Sequence, residues 1–295
     1  MLAPSHNPFR MKMAAAIIVF VFLLFILVVM GGGCAYRAFY YPDAVLRETP
    51  AQHGMKFEPV TFSSGDGTRL TGWFLPATTA ANPREAKGTV IHFHGNAQNM
   101  TAHWQFVRWL PARGFNVFVF DYRGYGASAG KPGPKGLWRD SQAAIDCVRV
   151  RPDVDPERLL VFGQSLGGTN ALAAVGGGDR AGIRAVAIEA AFYSYTSIAN
   201  DKLPGAGWLL CNRYGAAKHI AQISPIPLLL IHGTADSVIP ESHSARLFAK
   251  AGEPKQLVII PGSAHIDAMT EAHGGAYRDL LVAFFEAALA APAAH

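Results

Sequence analysis

Short apolar runs alternate along the chain with longer segments in which apolar residues recur every three or four positions. The runs at residues 89–94, 116–120 and 159–162 are largely apolar on both sides, which is typical of strands buried on both faces. Segments such as residues 137–150 have the spacing of amphipathic helices. The pattern predicts a mainly parallel sheet covered by helices on both faces.

A hairpin and a long insertion interrupt this order. Predicted strands at residues 57–62 and 70–75 flank Asp66-Gly67, which is a strong signal for a tight turn. Residues 191–224 are too long for a simple loop, and they predict a helix with a small cap over the carboxyl edge of the sheet. The remaining predicted strands are 89–94, 116–120, 159–162, 185–188, 227–232 and 257–260, and the remaining helices are 101–112, 137–150, 166–175, 241–251 and 277–290.

The N-terminal part of the chain differs from the rest. Residues 13–35 carry no charged side chain, and about 20 apolar residues can span the hydrocarbon core of a bilayer. A cleavable signal peptide has a shorter apolar region of about 7–15 residues. The sequence therefore predicts a cytoplasmic tail at residues 1–12, a transmembrane signal anchor at 13–35, a linker at 36–55 and a folded domain at 56–291.

The charges flanking this stretch predict its orientation. Arg10 and Lys12 precede it and Arg37 follows, so the excess of positive charge favours a cytoplasmic N-terminus and an extracytoplasmic domain, periplasmic in a bacterium. An alternative is that "VVMGGGCA" is a lipoprotein processing site with Cys34 as the lipidated residue. Gly31 stands where leucine is expected in such a site. Both alternatives place the domain on the same side of the membrane.

Composition excludes some classes of protein. The 295 residues are 50% hydrophobic and 16% charged, with a net charge of +5. No cluster of Lys and Arg interleaves with aromatic residues, so no nucleic-acid partner is expected. Cys34, Cys147 and Cys211 are too few for a disulfide framework and contain no C-x-x-C motif. Cys147 stands at helical spacing with apolar residues, which predicts a packing role.

The pattern G-x-S-x-G occurs twice, around Ser165 and around Ser128. Ser165 follows the apolar run "LLVF" and directly precedes a predicted helix. A strand that turns directly into a helix exposes the serine hydroxyl and aims helix N–H groups at it. Ser128 lies in a glycine-rich segment with no helix directly after it, so it is interpreted as a loop residue. The sequence predicts Ser165 as a catalytic nucleophile.

A serine nucleophile needs a base, and the base needs an orienting acid. In proteins with this type of turn the acid and the histidine follow the serine in that order. His265 follows the last predicted strand and is the preferred base, with His273 as the alternative. Asp236 follows a predicted strand between Ser165 and His265 and is the preferred acid, whereas Glu189 at the end of the preceding strand competes with it.

The transition state also needs backbone donors for the oxyanion. One donor is expected from Leu166, and the other from the loop after the strand at 89–94, where the Asn96 N–H is preferred and Ala97 is the alternative. The pair His92 and His94 could suggest a metal, but no third ligand follows at a useful spacing. No metal or other cofactor is expected.

Six motifs taken together resemble those of a known family. They are "HFHGNAQN", "DYRGYGAS", "GQSLGG", "IEAAFYS", "HGTADSVIP" and "GSAH", and they stand in the order found in α/β-hydrolases. Within them, the chain resembles Bem46 and related serine hydrolases of the ABHD type, which overlap the serine aminopeptidase S33 profile. The resemblance covers residues 41–290. It implies an α/β-hydrolase fold and esterase, lysophospholipase, acylglycerol lipase or thioesterase activity.

The expected function is that of a membrane-anchored serine hydrolase that cleaves carboxylic ester or thioester bonds. The expected partners are a small-molecule or lipid acyl-ester substrate and the membrane, and no protein partner is indicated. A serine peptidase would use the same residues, so it remains an alternative. A catalytically silent binding protein is a further alternative, which an intact set of nucleophile, base and acid disfavours.

Overall fold

An eight-stranded, mainly parallel sheet lies at the centre of the computed structural model, which describes residues 39–292. The predicted anchor and the alternative lipidation site at Cys34 lie outside the described residues. Within residues 39–292, no helix has both the length and the apolar character needed to cross a bilayer. The mainly parallel sheet predicted from the sequence is confirmed.

The strands follow the predicted order. The strands are β1 (Tyr41–Pro42), β2 (Glu58–Ser63), β3 (Arg69–Leu75), β4 (Gly88–Phe93), β5 (Ala97–Gln98), β6 (Phe115–Asp121), β7 (Leu159–Gln164), β8 (Ile183–Glu189), β9 (Leu228–Gly233) and β10 (Lys255–Ile260). The order across the sheet is β10-β9-β8-β7-β4-β6-β3-β2. β2 and β3 form the antiparallel hairpin, β3 is antiparallel to β6, and the other pairs are parallel. A separate two-stranded pair joins β1 to β5.

Helices cover both faces of this sheet. The α-helices are α1 (Met100–His103), α2 (Pro134–Arg149), α3 (Leu166–Gly177), α4 (Tyr195–Lys202), α5 (Ala216–His219), α6 (Ser242–Lys250) and α7 (Ala276–Ala290). Short 3-10 helices lie at Pro50–His53, Pro83–Glu85, Trp104–Phe106, Pro111–Arg113, Ala206–Leu209, Ile220–Ile223 and Glu271–His273.

The alternation of side chains along the strands divides the core into two layers. Along β6, Phe118 and Phe120 pack with residues of α2 and α3, whereas Val117 and Val119 pack with residues of α7. Successive side chains of a strand point to opposite faces, so a strand that is apolar throughout must be covered on both sides. The result is a three-layer arrangement of helix, sheet and helix.

The predicted helix at residues 101–112 is wrong. The structure has the single α-helical turn α1, a 3-10 turn and a second 3-10 turn that starts at Pro111. The buried side chains Trp104, Val107 and Leu110 are spaced by three residues, which is the period of a 3-10 helix. Pro111 has no N–H to continue an α-helix. For the other predicted elements outside the cap, the observed bounds lie within three residues of the prediction.

Residues 191–224 contain α4, α5 and two 3-10 helices. Ser194 is the N-cap of α4, and its hydroxyl accepts a hydrogen bond from the Ser197 N–H at 3.1 Å. Tyr195 and Ile198 are buried on the side of α4 that faces the core. The following segment, 203–211, carries exposed side chains that include Leu203 and Trp208.

Candidate active site

Ser165 lies at a tight turn between β7 and α3. Its backbone has φ 55° and ψ −122°, a conformation that non-glycine residues rarely adopt. The flanking glycines leave no room for a side chain. A Cβ at Gly163 would lie 2.8 Å from the Gly168 Cα, and one at Gly167 would lie 2.0 Å from the Phe93 carbonyl oxygen. The G-x-S-x-G pattern around Ser165 is therefore a steric requirement of this turn.

Backbone strain of the same kind occurs at three other non-glycine residues. Within the described residues, the non-glycine residues with positive φ are Gln98, Ser165, Ala190 and Ile266. Gln98 ends β5, Ala190 follows β8, and Ile266 lies in the loop after β10. Each such residue costs about 1–3 kcal/mol and persists only where the surrounding structure holds it in place. Strain of this kind is typical of the loops that form a functional site.

The structure brings Ser165, His265 and Asp236 together from three different loops. The His265 Nε2 lies 3.0 Å from the Ser165 Oγ, and the His265 Nδ1 lies 2.7 Å from the Asp236 Oδ2. Because the Nδ1 faces a carboxylate, we place the imidazole proton on that nitrogen. The Nε2 is then free to accept the proton of the serine hydroxyl.

Asp236 is held as a carboxylate by several donors. Its side chain is fully buried, and burial alone would raise its pKa, but hydrogen bonds from His232, His265 and the Ile239 N–H outweigh burial and hold the pKa well below its usual range. The His232 Nε2 lies 2.8 Å from the Ile239 carbonyl oxygen and 3.2 Å from the Asp236 Oδ2.

His232 is a residue of the site that the sequence motifs did not single out. It stands four residues before Asp236 near the end of β9, and its Nδ1 lies 2.6 Å from the Ser244 hydroxyl on α6. The Ile239 carbonyl can only accept a hydrogen bond, so the His232 Nε2 carries the proton and also faces Asp236. A histidine four residues before an aspartate, where a strand ends, was the feature of the sequence that could have indicated this contact.

Glu189, the competing acid, forms its hydrogen bonds with residues other than His265. Its carboxylate accepts hydrogen bonds from the Gln164 amide at 2.7 Å and from the Ala268 N–H at 2.9 Å. Burial raises the pKa of Glu189 to about 7, and these two hydrogen bonds only partly oppose the rise. Ala268 lies three residues after His265, so Glu189 supports the loop that carries the histidine.

Ser128 and His273, the less favoured serine and histidine, have different surroundings. The buried Ser128 hydroxyl accepts a hydrogen bond from the Thr71 N–H at 3.0 Å and donates one to the Asp121 carbonyl at 2.8 Å, so it ties a loop to the sheet. The His273 Nε2 lies 3.2 Å from the Asp267 Oδ1. These hydrogen bonds give both side chains a structural role outside the cluster around Ser165.

His92 and His94, which the sequence raised as a possible metal pair, are engaged with protein atoms. The His92 Nε2 lies 3.0 Å from the Gln164 Oε1, and burial lowers the pKa of His92 to about 3. The His94 Nδ1 lies 2.8 Å from the Gly95 carbonyl oxygen. Across residues 39–292, no cluster of three or more His, Cys, Asp or Glu side chains is arranged to hold a metal ion.

The two predicted oxyanion donors lie beside Ser165. Asn96, Leu166 and Ser165 line the same cavity. Leu166 is the first residue of α3, directly after Ser165, so its N–H has no acceptor within the helix. Asn96 lies in the loop after β4, whereas its neighbour Ala97 pairs with Tyr41 in the two-stranded β1–β5 ladder.

The side chain of Asn96 fastens this loop to the segment that enters the domain from the N-terminus. Its Oδ1 accepts hydrogen bonds from the Tyr41 N–H at 3.2 Å and the Tyr125 hydroxyl at 2.9 Å, and its Nδ2 donates one to the Phe39 carbonyl at 2.6 Å. The sequence predicts residues 36–55 only as a linker. In the structure, Phe39 and Tyr41 form part of the site.

A cavity of about 400 Å³ opens above Ser165. Its walls are mostly apolar, and among the described residues that line it only Lys202 carries a charge. The residues that line it are Phe39, Tyr41, Asn96, Ser165, Leu166, Phe192, Ile198, Ala199, Lys202, Leu203, Ala206, Leu209, Leu210, Val238 and Ile239. A cavity of this volume and character suits an apolar group joined to a polar reacting centre.

Known proteins are similar to this chain in sequence, and others are similar to it in fold. The family model described as serine aminopeptidase, S33, matches residues 84–214. The uncharacterized protein YfhR of Salmonella typhi is 50% identical over an alignment of 287 residues that covers 92% of this chain and 95% of YfhR. WAV2 of Arabidopsis thaliana, an alpha/beta hydrolase domain-containing protein, is 32% identical over 240 residues, covering 74% of this chain and 75% of WAV2. The structure of the Pyrococcus furiosus esterase Pf2001 aligns with a TM-score of 0.69 at 18% identity, covering 85% of this chain and 98% of that chain, which shows a common fold.

Proposed function

The chain belongs to the α/β-hydrolase family. On that premise we propose that it cleaves carboxylic esters or thioesters through an acyl-enzyme on Ser165. The observation that carries the proposal is the chain of hydrogen bonds from Ser165 through His265 to Asp236, at 3.0 Å and 2.7 Å, at the base of an apolar cavity.

In the proposed reaction, the Ser165 Oγ attacks the carbonyl carbon while its proton passes to the His265 Nε2. Asp236 orients the ring and stabilises the imidazolium that forms. The N–H groups of Leu166 and Asn96 hold the oxyanion. The proton on His265 then moves to the departing alcohol or thiol, and the acyl group stays on Ser165. Water loses a proton to His265, attacks the acyl carbon and releases the acid, and the proton returns to the Ser165 Oγ.

The character of the cavity favours an acyl ester over the substrate of an aminopeptidase. An aminopeptidase must bind a free ammonium group, for which a carboxylate is the natural partner. Among the described residues that line the cavity, none has a carboxylate, and Lys202 would repel an ammonium group. Phe192, Ile198 and Ile239 offer instead a surface on which an aliphatic chain can be buried.

A series of p-nitrophenyl esters tests this proposal. We expect kcat/KM to rise from acetyl to medium-length acyl chains, because each buried methylene adds about 0.8 kcal/mol of favourable transfer free energy. That value corresponds to roughly fourfold per methylene until the cavity is filled. Aminoacyl p-nitroanilides with a free amino group serve as the comparison and should be poor substrates. A kcat/KM that falls steadily from acetyl onward would contradict the apolar acyl substrate.

The hydrogen bonds of the Asn96 side chain, which hold the loop after β4 in place, lead to a second prediction. Asn96→Ala keeps the backbone N–H but removes the hydrogen bonds to Phe39, Tyr41 and Tyr125, so the loop loses its fixed position. We expect kcat to fall by about 10-fold to 10³-fold with a small change in KM, because loss of one oxyanion donor costs up to that range. Tyr125→Phe, which removes one of the three bonds, should have a smaller effect. An Asn96→Ala variant with unchanged kcat would show that the side chain does not position the loop.

We further propose that residues 13–35 anchor the protein in the membrane with the catalytic domain on the extracytoplasmic side. The absence of charge over residues 13–35 and the position of Arg10 and Lys12 before them support this arrangement. Protease added to intact spheroplasts is expected to degrade the domain. Full protection of the domain, with degradation only after lysis, would overturn the orientation. The mass of the purified protein then distinguishes a full-length chain from one lipidated at Cys34.

A further inference from the structure

Several exposed large apolar side chains lie around the mouth of the active-site cavity. Tyr41 and Leu203 line the cavity and are 64% and 65% exposed, and Leu209 and Val238 also line it and are exposed. Trp208, which precedes Leu209 on the 3-10 helix Ala206–Leu209, is 91% exposed. We call these five residues the apolar rim. A group of large apolar side chains at one opening indicates a surface that another apolar body covers.

Below the rim, the cavity remains apolar down to the nucleophile. Phe192, Ile198 and Ile239 line it and are buried, and Ser165 is 7% exposed at its base. An aliphatic chain that enters past Leu203 would therefore stay in contact with apolar side chains until its carbonyl group reaches Ser165. The rim and the cavity form one continuous apolar path.

The charge at the rim suits a lipid surface. Lys202 precedes Leu203, lines the cavity and is exposed, and its neighbour Asp201 is paired with His243 at 2.5 Å. Exposed tryptophan and lysine side chains are typical of protein surfaces at the membrane interface, where the indole lies at the headgroup level and the ammonium group reaches the phosphates.

The covalent chain limits how far this surface can lie from the proposed anchor. Phe39 lines the cavity and lies four positions after Ala35, where the proposed anchor ends. An extended chain covers at most about 3.6 Å per residue, so Phe39 can lie no more than about 14 Å from that point. A bilayer that holds residues 13–35 is thus within reach of the cavity mouth.

We propose that the apolar rim docks on the lipid bilayer and that acyl substrates pass from the bilayer into the cavity. The proposal rests on the proposed function for the identity of the substrate and of the anchor. It adds that the domain is oriented with its cavity mouth on the membrane, instead of extending freely from the anchor.

Tryptophan fluorescence of the full-length chain in vesicles tests the docking directly. The five tryptophans are Trp73, Trp104, Trp109, Trp138 and Trp208, and all lie in the folded domain. We expect phosphatidylcholine with brominated acyl chains to quench the emission of the wild-type protein, and Trp208→Phe to remove most of that quenching. Trp109→Phe is the matched control and should leave the quenching in place. Equal quenching of the wild-type protein and Trp208→Phe would overturn the proposal.

A second copy of the chain is the competing occupant of the rim. In that case Trp208 would be shielded from brominated lipid, and its emission maximum would depend on the ratio of protein to lipid. That outcome would also overturn the proposal.

Activity measurements separate this inference from the proposed function. With an ester embedded in vesicles, we expect Trp208→Asp to lower the rate by at least 10-fold, while hydrolysis of a soluble acetyl ester changes by less than twofold. Val150→Asp changes an exposed apolar residue that does not line the cavity, and should affect neither rate. An equal loss on both substrates would contradict docking. Absence of hydrolysis by the wild-type protein would contradict the proposed function, whereas the quenching result would still decide the docking.

Discussion

Replacing Ser165 with alanine is expected to lower kcat by up to about 10⁶-fold while the protein remains folded. The Oγ is the atom that would bond to the acyl carbon, so without it only the oxyanion donors and substrate binding remain to assist attack by water. The Ser165 backbone, with φ 55°, can be adopted by alanine at a cost similar to that of serine. Active-site labelling by a fluorophosphonate probe, together with kcat on a soluble ester, measures the loss.

Ser128→Ala is the matched control because Ser128 lies in the other G-x-S-x-G pattern. Its hydroxyl bonds to the Thr71 N–H and the Asp121 carbonyl, so its removal should lower the free energy of unfolding by about 1–3 kcal/mol. Most of the activity and the probe labelling should remain. Labelling that survives Ser165→Ala and disappears in Ser128→Ala would reverse the assignment of the nucleophile.

Asp236→Asn is expected to lower kcat by about 10⁴-fold with little change in the fold. The carboxylate accepts the His265 Nδ1 proton at 2.7 Å, whereas an asparagine amide can present its N–H₂ group and favour the wrong tautomer of the imidazole. The affinity for substrate should change little, because Asp236 does not line the cavity. Measurement of kcat and KM on the same soluble ester distinguishes the two effects.

Glu189→Gln is the control for that variant, because it makes the same change in the competing acid. Glu189 accepts hydrogen bonds from Gln164 and Ala268, so its amide should disturb the loop that carries His265 and reduce kcat only modestly. If Glu189→Gln is the more damaging of the two substitutions, the orienting acid is Glu189 and the assignment of Asp236 is wrong.

Local patterns accounted for most of the fold and for the candidate residues. Strands such as β6 and β7 are apolar along most of their length, because a strand in the middle of a three-layer structure has no solvent-facing side. The glycines around Ser165 were informative because a Cβ at either position would collide with the backbone. Both signals arise from neighbours in sequence or from a burial pattern that repeats along one element.

Features that depend on tertiary contacts could not be predicted from these local patterns. The helix predicted at residues 101–112 is broken, and the side chains that pack against the sheet follow a spacing of three residues. His232 stands only four residues before Asp236, but its role depends on the Ser244 hydroxyl of α6 and the Ile239 carbonyl, which orient its ring. The same holds for the contact of Asn96 with Phe39 and Tyr41, which join segments more than fifty residues apart.

The sequence by itself determined the order of strands and helices, the turn at Ser165 and a short set of candidates for acid and base. The physical reason is that hydrophobic period and glycine sterics act over a few residues and leave their record in the local sequence. Only the tertiary structure decided that Asp236 faces His265 while Glu189 bonds to Gln164 and Ala268. Glu189 ends β8 and Asp236 follows β9 by three residues, and the partners that distinguish the two acids lie far away in the chain, with His265 facing Asp236 and the Ala268 N–H bonded to Glu189.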